Sequence, residues 1–266
     1  MKYVSQFGIW LATLLCIASG LVAAEPVDVA FTAKIDGSEQ RYVVIVPDEV
    51  TAKRRRASLL IALHGHGSDR WQFVKDPRPE CKAARDAAAK RQMIYVSPDY
   101  RAKTSWMGPA AEADLLQILD ELRAKYEVER VYVSGGSMGG TAALTFAALH
   151  PDRVNGVISM NGTANLVEYD QFQDAIAASF GGSKTQKPDE YQKRSAELHV
   201  DRLKMPIAAT TGGRDKLVPP DSVLRLVEKL KAAGRPVLSI HRPEGGHDTD
   251  YADATAAFDF VLDQPR

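Results

Sequence analysis

Residues 135–140 read Gly-Gly-Ser-Met-Gly-Gly and place Ser137 between glycines. The apolar run 130–133 precedes this motif, and the Ala-rich stretch 141–148 follows it. A strand, a Gly-x-Ser-x-Gly turn and a helix in this order lift a serine hydroxyl out of a sheet. They also leave the next N–H, that of Met138, at the positive end of the helix. Ser137 is therefore a candidate nucleophile, and Met138 is a candidate donor to the oxyanion that its attack on a carbonyl would create.

A serine hydroxyl becomes a good nucleophile when an imidazole accepts its proton and a carboxylate orients that imidazole. Two later loops supply these groups, because Asp215 follows the apolar run 207–211 and His247 follows the strand-like run 236–241. A structural turn at Ser137, a helix cap at Asp215 and a surface histidine at His247 are the alternatives. Three functional side chains, each on a loop after a strand, favour a catalytic triad.

Two further loops contribute candidate site residues. Residues 63–67 read Leu-His-Gly-His-Gly and end an apolar run, and their glycines let the backbone approach a substrate. The N–H of His66 is therefore a candidate second oxyanion donor beside Met138. Tyr100 and Trp106 follow the next strand-like run and are candidate walls of the substrate pocket, with apolar packing as the alternative for each.

The sequence predicts neither a metal nor a cofactor. His64 and His66 have the spacing of a metal-binding pair, but no third ligand stands near them in the sequence. The glycines at 135–140 are not followed by the lysine of a phosphate-binding loop. Arg70 stands where a dinucleotide-binding loop after residue 65 would need its third glycine.

Strand-like and helix-like segments alternate along the chain. Residues 27–35 and 41–46 are joined by Asp36-Gly37, which predicts an N-terminal antiparallel hairpin. The segments that follow are strand-like over 58–63, 93–97, 131–133, 157–160, 207–211 and 236–241, and helix-like over 81–91, 110–126, 141–148, 222–233 and 250–262. This alternation predicts an α/β fold with a mostly parallel central sheet and helices on both faces. Residues 163–204 exceed what a crossover needs, and they are either a cap over the site or a surface excursion.

The first residues carry a targeting pattern. Lys2 precedes an apolar stretch over 7–22, and small residues lead up to Ala24. Residues 1–24 are therefore predicted to be a signal peptide cleaved after about Ala24, and 25–266 a single hydrolase domain that is secreted or periplasmic. A membrane anchor is the alternative, which the small residues at the end of the apolar stretch disfavour.

Charge and cysteine content narrow the function classes. The chain has 34 basic and 34 acidic side chains, so it has no electrostatic preference for nucleic acid. The basic run 53–56 is a solvated loop or a contact for a polyanion. Loss of Cys16 with the signal peptide leaves Cys81 alone, which excludes an intramolecular disulfide. No second apolar span follows the first, so no membrane segment is expected in the mature protein; the oligomeric state stays open.

Four motifs resemble those of the α/β-hydrolase superfamily and together cover nearly the whole predicted mature chain: residues 63–67, 135–140, 212–219 and 245–247. The stretch 188–247 is similar to the catalytic domain of prolyl-oligopeptidase-type serine peptidases, but no propeller-sized domain precedes it. The stretch 99–138 looks more like feruloyl esterases and polyhydroxybutyrate-depolymerase-type esterases, although the paired cysteines of those enzymes are missing. The resemblance implies an α/β-hydrolase fold and acyl transfer through Ser137.

The motifs and the resemblance together predict a secreted serine hydrolase that cleaves carboxylic esters through an acyl-enzyme on Ser137. The expected partner is a small-molecule or polymer-borne ester. A peptidase of the prolyl-oligopeptidase type that acts on short peptides is the first alternative. A binding protein on a hydrolase scaffold, without catalysis, is the second.

Overall fold

The computed structural model describes residues 24–53 and 55–264. The predicted signal peptide lies outside the described residues except for Ala24, and Arg54 of the basic run lies outside them as well. Among the residues that are described, no helix is long and apolar enough to cross a membrane. The domain boundary at residues 24 and 25 stays a prediction.

The predicted mostly parallel sheet is confirmed. Its eight strands in the described chain are β1 (Val27–Thr32), β2 (Glu39–Ile45), β3 (Ala57–Leu63), β4 (Ile94–Pro98), β5 (Val128–Gly136), β6 (Gly156–Met160), β7 (Ile207–Gly212) and β8 (Val237–Arg242). They lie in the order β1-β2-β4-β3-β5-β6-β7-β8. Strand β2 pairs antiparallel with β1 and β4, and the pairs from β4 to β8 are parallel. The loops after β3, β5, β7 and β8 therefore leave the same edge of the sheet, which is called the carboxyl edge below.

The N-terminal hairpin is present, but its first strand is shorter than predicted. Strand β1 ends at Thr32 because residues 33–38 form the turn. Gly37 N–H donates to the Ala33 carbonyl at 2.8 Å, and Gly37 has φ +74°, a conformation that favours glycine. The strand therefore ends three residues before its predicted end.

Helices cover both faces of the sheet, as predicted. They are α1 (Asp48–Lys53), α2 (Gln72–Lys75), α3 (Pro79–Lys90), α4 (Pro109–Lys125), α5 (Met138–Leu149), α6 (Gln173–Phe180), α7 (Pro188–Lys193), α8 (Asp221–Ala232) and α9 (Tyr251–Leu262), with short 3₁₀ turns at Pro151–Arg153 and Ala196–Leu198. Helices α3 and α9 pack on one face, and α4, α5 and α8 pack on the other. Proline occupies the first turn of α3 and of α4, where its missing N–H costs no hydrogen bond.

Strand β3 shows why the sheet carries two cores. Its side chains alternate, so Leu59, Ile61 and Leu63 enter the core beneath α4 and α5, whereas Leu60 and Ala62 enter the core beneath α3 and α9. All five are fully buried. A continuous apolar run is therefore the pattern that a strand covered on both faces requires.

The segment 163–204 packs into the first of these cores and is fixed by a buried charge. Leu166 and Tyr191 of the segment are buried in the same cluster as α4 and α5. The Arg194 side chain is fully buried and donates to the carboxylates of Glu112 and Glu190 and to the Met107 carbonyl. A buried guanidinium needs such partners, because an unpaired charge in the interior is strongly destabilising. Arg194 therefore links the segment to the first turn of α4.

The Glu112 carboxylate should make stability depend on pH. Burial by itself raises the pKa of Glu112, but hydrogen bonds from His150 and Arg194 outweigh it and lower the pKa from 4.5 to about 2. Such a group stabilises the fold above its unfolded pKa, and this contribution is lost as the pH falls through 4.5 toward about 2. We expect Glu112→Gln to lower the free energy of unfolding by about 3 kcal/mol near neutral pH and by progressively less below pH ~4.5.

Urea titrations of wild type and Glu112→Gln at several pH values measure this difference. Glu228→Gln, on the exposed surface of α8, is the matched control and should leave the free energy of unfolding nearly unchanged. A Glu112→Gln difference that is the same at pH ~7 and pH ~3.5 would contradict the assignment, because it would not follow the protonation of the carboxyl.

Candidate active site

The turn between β5 and α5 holds Ser137 in a strained conformation. Its φ is 57° and its ψ is −119°, a region that costs a non-glycine residue about 1–3 kcal/mol. Ser137 N–H donates to the Met160 carbonyl at 2.8 Å, which holds the turn against β6. A Cβ on Gly135 would overlap the backbone of Gly139, and a Cβ on Gly139 would overlap the Leu63 carbonyl oxygen. The glycines of the motif therefore allow β3, β5 and α5 to approach closely enough to raise the serine.

Three of the predicted site residues form one hydrogen-bonded chain at the carboxyl edge. His247 Nε2 lies 2.8 Å from Ser137 Oγ, and His247 Nδ1 lies 2.6 Å from Asp215 Oδ2. The other carboxylate oxygen of Asp215 accepts the backbone N–H groups of Leu217 and Val218, each at 2.9 Å. The Asp215 side chain is 1% exposed, whereas that of His247 is 26% exposed. The acid is therefore fixed inside the fold, and the imidazole remains accessible from solvent.

Two backbone N–H groups near Ser137 are free to bind an oxyanion. Among the described residues, neither Met138 N–H nor His66 N–H donates a hydrogen bond to another group. The Gly65 N–H is occupied, because it donates to Gln72 Oε1 at 2.7 Å. A methyl group on Gly65 would lie 3.8 Å from the Ser137 Cβ, so the loop 63–67 runs beside the nucleophile. The free groups are the two that the sequence predicted as oxyanion donors.

The two predicted pocket residues lie behind this loop instead of lining the pocket. Tyr100 and Trp106 are 1% and 0% exposed. The Tyr100 hydroxyl donates to the His64 carbonyl at 2.5 Å, and Trp106 Nε1 donates to His66 Nδ1 at 3.2 Å. His64 is itself buried, with its ring nitrogens 2.8 and 3.0 Å from backbone carbonyl oxygens, and burial lowers its pKa. These side chains support the candidate oxyanion loop from the interior.

Ser137 and His247 open into a pocket of about 50 Å³ with a polar lining. Arg78 lies in that lining and pairs with Asp76 at 2.8 Å, and its hydrogen bond to Asp76 raises its pKa. Glu80, 3.6 Å from Arg78, also faces the pocket. The full lining is Gln72, Phe73, Arg78, Glu80, Gly136, Ser137, Met160, Asn161, His247, Asp248 and Thr249. Only a small group fits into this volume, so the larger parts of a substrate would extend past its rim.

Several residues of the site had no role assigned from the sequence. Gln72 fixes Gly65, and Asn161, with φ 50°, lines the pocket and accepts a hydrogen bond from Thr249. Gln72 begins α2, the first helix after β3, and Asn161 directly follows β6, and these positions are the signal that could have marked them, because both connections leave the carboxyl edge. Phe172 of the segment 163–204 also contacts His66 of the loop 63–67, Tyr169 of the same segment contacts Trp106, and no sequence pattern marked either residue.

Other reactive groups are occupied or buried. His66 Nδ1 accepts a hydrogen bond from Trp106, and the ring nitrogens of His64 face carbonyl oxygens. Within the described parts of the chain, no three His, Cys, Asp or Glu side chains converge as a metal site requires. Cys81 is a free, buried thiol whose pKa burial raises to about 12, which disfavours the reactive thiolate.

Solved structures share this architecture. A ferulic acid esterase superimposes with a TM-score of 0.69 at 20% identity, over 90% of this chain and 98% of that protein. A puromycin hydrolase superimposes with a TM-score of 0.71 at 19% identity, over 91% of this chain and 40% of that protein. At such identities the likeness shows the fold alone, and it is the α/β-hydrolase fold that the sequence predicted.

Sequence comparison gives the family. The uncharacterised peptidase YtmA of Bacillus subtilis (strain 168) is 26% identical over 113 residues, which are 41% of this chain and 44% of that protein. The chain spans less than half the length of the curated relatives named by the comparison. A profile of the prolyl oligopeptidase family matches residues 87–262, about two thirds of the chain, and this range includes Ser137, Asp215 and His247. The chain therefore belongs to the prolyl oligopeptidase family.

Proposed function

We propose that this protein is a serine hydrolase that cleaves carboxylic esters through an acyl-enzyme on Ser137. The observation that carries the proposal is the unbroken chain from Ser137 Oγ to His247 at 2.8 Å and from His247 to Asp215 at 2.6 Å. The N–H groups of Met138, next to Ser137, and of His66, in the loop beside it, donate to no other group of the described chain and support the proposal further. A nucleophile, a base, an orienting acid and oxyanion donors at one place are the parts that acyl transfer requires.

The reaction would proceed in two similar halves. Ser137 Oγ attacks the ester carbonyl carbon while His247 Nε2 accepts the hydroxyl proton. The carbonyl oxygen becomes an oxyanion that the N–H groups of Met138 and His66 stabilise, and Asp215 holds the imidazolium. The bond to the alkoxy oxygen then breaks, and His247 returns the proton to the leaving alcohol. Water repeats the sequence on the acyl-enzyme, and this step releases the acid and restores Ser137.

The ester as the substrate class comes from the sequence motifs, and the extent of one structural match agrees with it. The ferulic acid esterase is matched over 98% of its length, so the fold of a single-domain esterase accounts for nearly the whole described chain. Cleavage of short peptides is the second candidate, and the family match over residues 87–262 supports it. Both candidates use the same three side chains and differ in the leaving group, which is an alcohol in one case and an amine in the other.

A matched pair of substrates separates the two candidates. We expect an N-acyl amino acid methyl ester to be hydrolysed. The corresponding N-methylamide should release amine no faster with wild type than with Ser137→Ala, because an amine is a poorer leaving group than the alcohol of an ester. The measurement is acid and amine release by the same enzyme preparation. Amine release well above the Ser137→Ala rate would instead make this protein a peptidase.

We also propose export from the cytoplasm, with cleavage near Ala24. Lys2, the apolar stretch 7–22 and the small residues before Glu25 support it. An ester substrate outside the cytoplasm, small or borne on a polymer, agrees with an active site whose imidazole is open to solvent. Mass spectrometry of the protein recovered from outside the cytoplasm would give the N-terminal residue and test this proposal.

A further inference from the structure

Four ring side chains form a continuous cluster at the carboxyl edge: His66, Trp106, Tyr169 and Phe172, called the aromatic bridge below. The ring centroids of His66 and Phe172 lie 4.4 Å apart, and those of Trp106 and Phe172 lie 5.4 Å apart. Trp106 also contacts Tyr169, with centroids 5.5 Å apart. Two of the four rings come from the segment 163–204, so the bridge joins that segment to the loops that follow β3 and β4.

One end of the aromatic bridge holds the candidate oxyanion loop. The indole N–H of Trp106 donates to His66 Nδ1 at 3.2 Å, while Phe172 covers the same imidazole. A nitrogen that accepts a hydrogen bond must be unprotonated, and burial lowers the pKa of His66, which keeps the ring neutral. The orientation of the His66 side chain is thereby fixed, and with it the residue whose backbone N–H is free beside Ser137.

The other end holds the loop that carries the acid. The Tyr169 hydroxyl donates to the Leu217 carbonyl at 3.0 Å. The N–H of the same residue, Leu217, donates to Asp215 Oδ1 at 2.9 Å. Burial, reinforced by the charge of Asp215, raises the pKa of the Tyr169 phenol, so that it stays protonated and remains a donor. Tyr169 is therefore one residue removed from the carboxylate that orients His247.

The backbone of the aromatic bridge is strained. Trp106 has φ 46° and Phe172 has φ 54°, the left-handed region that non-glycine residues seldom adopt. Such strain persists only where surrounding contacts hold it, and it is concentrated at sites that need a defined geometry. The rings of both residues pack against each other, and this packing is one of the contacts around them.

We propose that the aromatic bridge is a positioning device, in which Tyr169 couples the acid loop to the oxyanion loop. This inference rests on the proposed serine hydrolase function and adds to it a role for the segment 163–204. Asp215 and the His66 N–H act on opposite ends of the reacting group, one through the base and one at the oxyanion. A rigid connection keeps both groups at fixed positions relative to Ser137. Stabilisation of the transition state depends on such preorganisation more than substrate binding does.

The variant that tests the aromatic bridge is Tyr169→Phe, which removes the hydroxyl and keeps the ring. We expect kcat for an ester to fall about tenfold with KM within about twofold, because the lost hydrogen bond acts on the transition state. The affinity for a boronic acid, which forms a tetrahedral adduct on the serine, should fall by the same factor as kcat/KM. Trp106→Phe, which removes the donor to His66, should likewise lower kcat and boronic acid affinity and leave KM nearly unchanged.

Tyr191→Phe is the matched control. Tyr191 is a buried tyrosine of the same segment whose hydroxyl donates to the Gly182 carbonyl at 3.2 Å, and it contacts Phe180 instead of the bridge. Both substitutions remove one phenol-to-carbonyl hydrogen bond, so both should lower Tm by a similar amount. Only Tyr169→Phe should lower kcat and boronic acid affinity.

The outcomes separate this inference from the proposed function. If Tyr169→Phe and Trp106→Phe keep kcat within about twofold of wild type, or lose no more than Tyr191→Phe does, the aromatic bridge has no positioning role. If wild type itself turns over esters no faster than Ser137→Ala, the serine hydrolase proposal is wrong, and the bridge inference with it. If the double variant of Tyr169 and Trp106 loses about as much kcat as either single variant, the two residues act as one connected device. If the two losses in kcat multiply, they act independently, which contradicts such a device.

Discussion

Ser137→Ala is expected to lower kcat for ester hydrolysis by about 10³-fold to 10⁶-fold. In the wild type, Ser137 Oγ lies 2.8 Å from His247 Nε2. Without Oγ, His247 has no serine hydroxyl to deprotonate. The backbone at residue 137 keeps its positive φ, and the two flanking N–H groups remain, so weak turnover by water attack should persist. The loss should appear in kcat more than in KM, because a substrate in its ground state needs no bond to Oγ.

A fluorophosphonate probe gives the same result without a chosen substrate. The wild-type protein should be labelled at Ser137 when folded and not after denaturation, and Ser137→Ala should not be labelled. Ser183→Ala, which removes a partly exposed serine of the segment 163–204, is the control and should match wild type in both labelling and turnover. Ester turnover in Ser137→Ala that stays near the wild-type rate would refute the nucleophile, and a folded wild type that resists the probe would favour a binding protein without catalysis.

Asp215→Asn should cost nearly as much, about 10³-fold to 10⁴-fold in kcat, although it changes one oxygen to nitrogen. The N–H groups of Leu217 and Val218 both donate to Oδ1, so the amide must keep its oxygen there. Its NH₂ group then faces His247 Nδ1, which can only accept, and the ring proton moves to Nε2. With a proton on Nε2, the imidazole cannot accept the proton of Ser137.

The measurement for Asp215→Asn is kcat together with thermal stability. Tm should change little, because the two backbone hydrogen bonds to Oδ1 are retained. Asp250→Asn is the control: Asp250 caps α9 by accepting the Asp253 N–H, and asparagine caps a helix equally well. Activity within tenfold of wild type in Asp215→Asn would show that the carboxylate does not orient the base.

Local patterns were sufficient to predict the scaffold and the chain from Ser137 to Asp215. Continuous apolar runs predicted the buried strands, and glycine-containing turns marked where the strands end. Parallel strands then bring their ends to one edge, so residues 110 positions apart, such as Ser137 and His247, meet without any further information. These predictions depended on periodicity and turn chemistry, both of which are local.

The walls of the site depended on contacts that no local pattern encodes. Tyr100 and Trp106 have the composition of pocket residues, yet the loop 63–67 folds over them and buries both. Tyr169 lies in a segment without periodicity, and it reaches Leu217 from a segment that the buried charge cluster around Arg194 links to α4. Side-chain packing between segments distant in sequence decides such positions, so a single sequence did not predict them.

The charge cluster around Arg194 also limits how the protein can be re-engineered. Substrate range in such a scaffold is commonly altered by exchanging a surface segment between homologues, and residues 163–204 are the obvious choice for a transplant. An exchanged segment without an arginine at position 194 would remove the guanidinium that pairs with Glu112 and leave that carboxylate with His150 as its remaining side-chain partner among the described residues. Removal of one partner of a buried ion pair costs about 3–5 kcal/mol, a large share of the stability of a typical domain. A chimera that exchanges residues 163–204 should therefore keep the pair of Arg194 and Glu112 together, or replace both residues at once.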